Sequence, residues 1–337
     1  MPSGSRHSNL DGYRQVKSVV HKRRGGIAPK WLRAAALALL LAPILIACGQ
    51  DEKPARVDFS KRETVGYEEP AHTITYAYVP QYFHRVSFER HDPLIQHLKR
   101  ETGLPIRQVF PDSFDEFIRM TGQGKIDISF ANPFIYVKVA QRFGSRVFAR
   151  IIEMDGREGF RGQIICRSDD ARIRTLADCK GKRWVAVDAS SAGGYLYALG
   201  HFFDHGIRKE DFADISFVSG PGGQQEKVVL AVYNGKYDIG SVREGALQLL
   251  ADKIDLSRIR TLAYTSWYPG WVYVARAGLA PNVLSAIKTA LLKLDCQSVE
   301  HRDICDAAHF AGVLPADDSD CDSIRRLAAK VGVDLNE

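Results

Sequence analysis

"GKIDISFANPFIYV", Gly124 to Val137, and "GKYDIGSVREGAL", Gly235 to Leu247, follow one plan. Each opens on glycine and lysine, carries an aspartate, and runs into a short apolar stretch that ends in a polar turn. In the first, "IDISFA" is rich in β-branched and aromatic residues and reads as a strand. Asn132 precedes Pro133, a position biased towards extended backbone, and "FIYVKVAQRFG" then reads as a helix closed by Gly144. In the second, "YDIGSV" is the strand and "GALQLLADK" the helix. Upstream of the first lie "TITYAYVP" (Thr73 to Pro80), a strand; "DPLIQHLKRETG", a helix stopped by Gly103; "PIRQVFP", a strand; and "SFDEFIRMTGQGK", a helix with Ser113 and Glu116 as capping box. "RVFARIIE" and "GQIICR" are further strands. Upstream of the second the order restarts with "LADCKG", "KRWVAVD", "GGYLYALGHFFDHG", "DISFVSG" and "QQEKVVLAVYNG". An alternation that starts twice predicts an α/β protein of two lobes with mostly parallel sheets, a hinge and a central cleft. After "RTLAYTSWYPGWVYVAR" the chain reads as helical from Pro281 onward. Residues 72–160 plus 268–337 are expected in lobe 1 and 161–267 in lobe 2. A chain of 337 residues is long enough for two cores.

Charge is concentrated at one end. Arg6, Arg14, Lys17, Lys22, Arg23, Arg24, Lys30 and Arg33 stand against Asp11 alone, which more than accounts for the net charge of +6. The rest is close to neutral, so no nucleic-acid surface is expected. "AAALALLLAPILIA", Ala34 to Ala47, follows the basic head and is too short to span a bilayer; it has the pattern of a signal peptide. It ends in "LIAC", which resembles a lipobox and marks Cys48 for lipidation; an ordinary secretory signal with an incidental cysteine is the alternative. Residues 1–48 are therefore read as a lipoprotein signal and 49–71 as a flexible tether. Export permits disulfides. Five cysteines remain, an odd number, and the pairs to test are Cys166 with Cys179, and Cys296 with Cys305 or Cys321. None has C-x-x-C spacing, and neither metal nor cofactor is expected.

In open α/β sheets ligands sit off the carboxyl ends of the strands. Those ends are "YVPQYFHR", "ISFANP", "VDASSAGG", "VSGPGGQQE" and "GSVREG". The hydroxyl- and glycine-rich third loop is an anion cradle or a plain helix cap: free N–H groups and the helix dipole favour an anion at such a start.

These stretches resemble the type 2 periplasmic substrate-binding proteins of phosphate, phosphite and phosphonate uptake, the receptors of ATP-driven importers. The likeness runs from about Thr73 to Asp295, and "G-x-D-I-x-F-x-x-P-x-x-Y" and the Ser-Ser-Ala-Gly turn are its most specific pieces. It implies an oxyanion held between the lobes by Ser190, Ser191 and Gly193, with Tyr82 from the first loop and Asn132 and Tyr136 from the third strand and following helix. It also implies docking on an inner-membrane permease, with no catalysis. The chain departs from the family at Gln224-Gln225-Glu226, where Ser and His are replaced and only the acid, Glu226, is kept. Arg243 is the other departure; it either grips an oxyanion by paired hydrogen bonds or forms a salt bridge with Glu244 or Glu226. Gln225, Glu226 and Arg243 are thus candidate ligand groups. Trp267, Tyr268 and Trp271 are expected at the hinge or over the cleft. Two other functions fit: a sensing component working with a sensor kinase, and an exported enzyme, though G-x-S-x-G, H-E-x-x-H and G-x-x-x-x-G-K-[ST] are all missing.

Overall fold

The computed structural model describes residues 73–222 and 224–336. The signal stretch, Cys48, the tether to residue 71 and Gly223 lie outside them. The first half is β1 (Ile74–Tyr78), α1 (His84–Thr102), β2 (Ile106–Val109), α2 (Phe114–Gly122), β3 (Ile128–Ala131), α3 (Pro133–Phe143) and β4 (Arg146–Ile152). A two-residue strand, β5 (Gly159–Phe160), leads into β6 (Gly162–Arg167), β7 (Arg183–Ala186), α4 (Tyr197–Asp204), β8 (Asp214–Phe217), α5 (Gln224–Tyr233), β9 (Ile239–Arg243) and β10 (Ile259–Tyr264). The chain returns through β11 (Tyr268–Pro269) to β12 (Val272–Ala275), α6 (Pro281–Leu292), α7 (Arg302–Ala308), β13 (Gly312–Pro315) and α8 (Asp322–Lys330).

Two sheets form the two lobes. One has the order β13-β4-β12-β3-β1-β2 and the other β10-β6-β9-β7-β8. The expectation of mostly parallel sheets is corrected: both are mixed. β1, β2 and β3 pair in parallel, as do β7, β8 and β9, because each step is a βαβ crossover. The strand by which the chain enters each lobe runs the other way. β12 inserts antiparallel between β3 and β4, and β6 antiparallel beside β9. The two passages between lobes, β5 and β11, pair with each other antiparallel and form the hinge.

Two local expectations are also corrected. α1 begins at His84, eight residues before the expected start at Asp92, and Pro93 lies inside it. A proline inside a helix costs about 3 kcal/mol, but Ser87, His91, Leu94, Ile95 and Leu98 share one buried face, whose burial offsets that cost. The tail is not wholly helical: Gly312–Pro315 adds an edge strand to β4. α8 then lies against both lobes. Tyr136 of α3 donates to Asp318 just before it, and Lys330 at its end pairs with Asp204 of α4. Ser113 caps α2 as expected, its Oγ accepting from Glu116 N at 3.1 Å, but the reciprocal half of the box is shifted by one residue: Glu116 Oε2 accepts from Asp112 N at 2.8 Å, not from Ser113 N. Cys296 and Cys305 form a disulfide, while Cys166, Cys179 and Cys321 are free and buried.

Candidate functional site

β7 delivers the chain to the turn Asp188–Ser191. Asp188 Oδ1 accepts from Ser190 N at 2.7 Å, and Ser191 Oγ accepts from Gly194 N at 3.2 Å. A widened π-type turn, Ala192–Leu196, runs without a break into α4. Ser191 is therefore the helix cap. The amides of Ala192 and Gly193 donate to no group among the described residues, which leaves the positive end of the helix open. Gly193 is required by close approach. A Cβ there would meet the Phe160 ring at 3.0 Å and Arg243 Cα at 3.3 Å, so the turn lies directly on the end of β9.

Arg243 stands at that end. Its backbone N–H donates to Gln225 Oε1 at 3.0 Å, and its Nη2 donates to Glu153 Oε2 at 2.5 Å. The guanidinium lies 4.8 Å from the centre of the Phe160 ring and 6.0 Å from that of Trp271. The phenols of Tyr82 and Tyr78 are close enough to interact with it electrostatically. Its ion pair is with neither Glu244 nor Glu226. Arg161 holds Glu244 by two bonds of 2.9 and 2.7 Å. Burial pushes the Glu153 carboxyl up, with Arg243 opposing.

The lobes meet across this seam. Gln81 O accepts from Gln224 N at 3.2 Å. Gly222, at φ +54°, abuts the backbone of Tyr82 and Phe83 so closely that a Cβ would lie 2.6 Å from Phe83 Cα. Lys138 of α3, only 5% exposed, donates from Nζ to Ser190 Oγ at 3.0 Å. Asp188 beside it is pushed up to about 6, first by burial and then by Asp115, with the Ser190 N–H and Lys138 opposing. Tyr82 is buried with Arg90 4.4 Å over its ring.

The structure thus gathers Tyr82, Gly193, Gln225 and Arg243, with Ser190 and Ser191 at the same turn. Asn132 and Tyr136 spend their side chains on other partners. Asn132 Oδ1 caps α3, accepting from Phe134 N and Ile135 N at 3.0 Å each; an asparagine before proline at a helix start is well placed to cap. Tyr136 lies one turn on and donates to Asp318. Glu226 is in the first turn of α5, and its Oε2 is buried with no partner. Trp271 is buried beside Arg243, Tyr268 stacks on Tyr197 at 4.3 Å, and Trp267 is 41% exposed under Arg157 and Arg161. Glu153, Lys138 and Asp188 were not singled out by sequence. The signal for Lys138 was a lysine inside the apolar run "FIYVKVA", and for Glu153 an acid at a strand end.

Two α/β lobes on a double crossover, with loops closing over an arginine and a helix start, define the periplasmic binding-protein class. The family model that matches, over residues 76–321, is described as the periplasmic substrate-binding protein of phosphonate ABC transporters, and the chain belongs to that family. It is 29% identical over 316 residues to the phosphate-import protein PhnD of Mycolicibacterium smegmatis, covering 89% of this chain and 95% of the relative. Among solved structures it is similar in fold to PhnD1 of Prochlorococcus marinus in complex with methylphosphonate. That match has a TM-score of 0.68 and 15% identity, over 77% of this chain and 98% of the other. A binding component of a phosphonate transporter from Pseudomonas aeruginosa matches with a TM-score of 0.67 and 18% identity, over 76% and 85%.

Proposed function

We propose that this substrate-binding protein is tethered to the membrane through a lipid on Cys48. It binds one small phosphorus oxyanion (phosphonate, phosphite or phosphate) in the interlobe seam and hands it to an ABC permease. The observation that carries the ligand reading is the meeting of Arg243 with the open start of the Ala192–Leu196 turn, shut under Tyr82. A guanidinium supplies charge and a fork of donors, and the helix start supplies amides. Binding is a population shift towards the closed form, with no bond broken.

A thermal-shift screen of the purified protein tests this, using phosphate, phosphite, methylphosphonate, aminoethylphosphonate, sulfate and acetate. A ligand at 100 times its Kd stabilises the native state by about 2.7 kcal/mol, a rise of roughly 5–10 °C for a body of this size. One phosphorus oxyanion is expected to give that shift. A flat response to all three classes of phosphorus compound, or a shift with acetate alone, refutes the ligand reading. Loss of labelled-lipid incorporation in Cys48→Ser tests the anchor.

A further inference from the structure

Arg243 already has an anion, and it comes from the other lobe. Glu153 follows β4 of the six-stranded sheet, whereas Arg243 ends β9 of the five-stranded sheet. Their contact is a single bond from Nη2 to Oε2. Glu153 is 7% exposed and its Oε1 is buried without a hydrogen-bond partner. The other side-chain donors of Arg243, Nε and Nη1, meet no acceptor among the described residues. The pair next door differs. Arg161 and Glu244 lie at the ends of neighbouring strands of one lobe and use both carboxylate oxygens. A contact selected only to brace the fold gains most from that two-bond geometry. The Glu153 contact uses half of it, at the seam where a ligand must enter.

We propose that Glu153 is an internal counter-anion: it pairs with Arg243 across the lobes and adds to the closed fraction of the empty protein, and an oxyanion from solution must displace it. The inference rests on the binding reading above. It makes Glu153 a specificity-determining residue, because any ligand has to outbid a carboxylate for the same guanidinium. Removing one partner of a buried pair strands the other's charge. The empty Glu153→Gln protein therefore relieves Arg243 by opening to water.

The test is a double-mutant cycle on the full chain, with methylphosphonate and inorganic phosphate as calorimetric probes. Glu153→Gln is expected to bind a probe at least ten-fold more tightly than the unmodified protein. Arg243→Ala is expected to bind at least ten-fold more weakly. The double variant should bind no more tightly than Arg243→Ala, because Glu153 acts only through Arg243. Weaker or unchanged binding by Glu153→Gln overturns the inference, as does a gain that survives the loss of Arg243. Small-angle scattering without ligand gives an independent reading: Glu153→Gln should be more extended than the unmodified protein, and equal compactness overturns the inference. If neither probe binds any variant, the ligand reading has failed and scattering alone decides the role of Glu153. Glu153→Asp, which keeps the charge but shortens the reach, replaces Glu153→Gln should that variant not fold; it should also be more extended.

Discussion

Closure of the lobes places one backbone against another at Gly222, and Gly222→Ala tests whether closure sets affinity. Two penalties arise, and they act differently. The left-handed φ of +54° costs an alanine about 1–2 kcal/mol; if the loop keeps this conformation in the open form, both forms carry that cost. The new Cβ would lie 2.6 Å from Phe83 Cα and 2.7 Å from Tyr82 O, against a comfortable carbon–carbon separation of about 3.5–4 Å. Only the closed form suffers this. Relief requires the Gly222 loop to retreat by about 1 Å, which breaks the Gln224 N to Gln81 O bond, worth about 1 kcal/mol, and loosens packing over Tyr82. A penalty of about 1.5–3 kcal/mol on the closed form lowers apparent affinity by roughly ten- to a hundred-fold. Gly220→Ala is the matched control. Its φ is +84°, but its Cβ would meet only Lys227 Nζ at 3.5 Å, the end of a flexible side chain. Calorimetry with the ligand found in the screen should show a large loss for Gly222→Ala and little change for Gly220→Ala, with similar melting temperatures for both. Equal affinities for Gly222→Ala and the unmodified protein, or equal losses for both variants, would refute the reasoning.

Three further outcomes follow from side chains at or near the seam. Tyr136→Phe removes the bond to Asp318 and is expected to lower stability by about 0.5–1.5 kcal/mol while leaving calorimetric affinity unchanged; a ten-fold loss of affinity would return Tyr136 to the site. Lys138→Met removes the cation that bridges α3 to Ser190 and should weaken ligand binding by at least ten-fold in the same assay; unchanged affinity would make the contact structural only. Asp188, pushed up to about 6 from an ordinary value of about 4, contributes stability that is present below about pH 4 and lost as pH rises through 6. Asp188→Asn keeps an acceptor for Ser190 N, so its melting temperature should exceed that of the unmodified protein at pH 7–8 and match it at pH 4; a constant difference across that range would remove Asp188 as the source.

The elements were legible wherever a local rule governs them. Glycine stops after α1 and α3, the Ser113 cap, and the strand in "TITYAYVP" are all read within a few residues. The failures share a cause, which is that the deciding partner is distant in sequence. Pro93 argued for a late start to α1 because the burial that offsets it comes from the packed core. β13 was read as helix because four residues acquire their identity from pairing with β4. The antiparallel insertions that make both sheets mixed have no local signature. The site behaves likewise. The strand-end loops were identifiable, and Arg243 was expected to grip an oxyanion or, alternatively, to pair with Glu244 or Glu226; the ion-pair partner it has, Glu153, is 90 positions away. Asn132 and Tyr136 sit at the expected place on the chain, and their side chains are spent on a cap and on the tail.

The insertion of β12 between β3 and β4 also has a consequence for the order of assembly. The five-stranded sheet is built from one continuous stretch, Gly162 to Tyr264, and can complete itself as soon as that stretch has emerged. The six-stranded sheet cannot: β3 and β4 have no edge in common until Val272–Ala275 arrives to lie between them. An exported chain delivered from its amino end therefore passes through a stage in which the later-made lobe is finished and the earlier-made one still has an open edge on β3 and a β4 unpaired on both sides. Such edges invite pairing with other chains, so this lobe, although its first strand emerges early, is the one most in need of protection before the last fifth of the protein crosses the membrane.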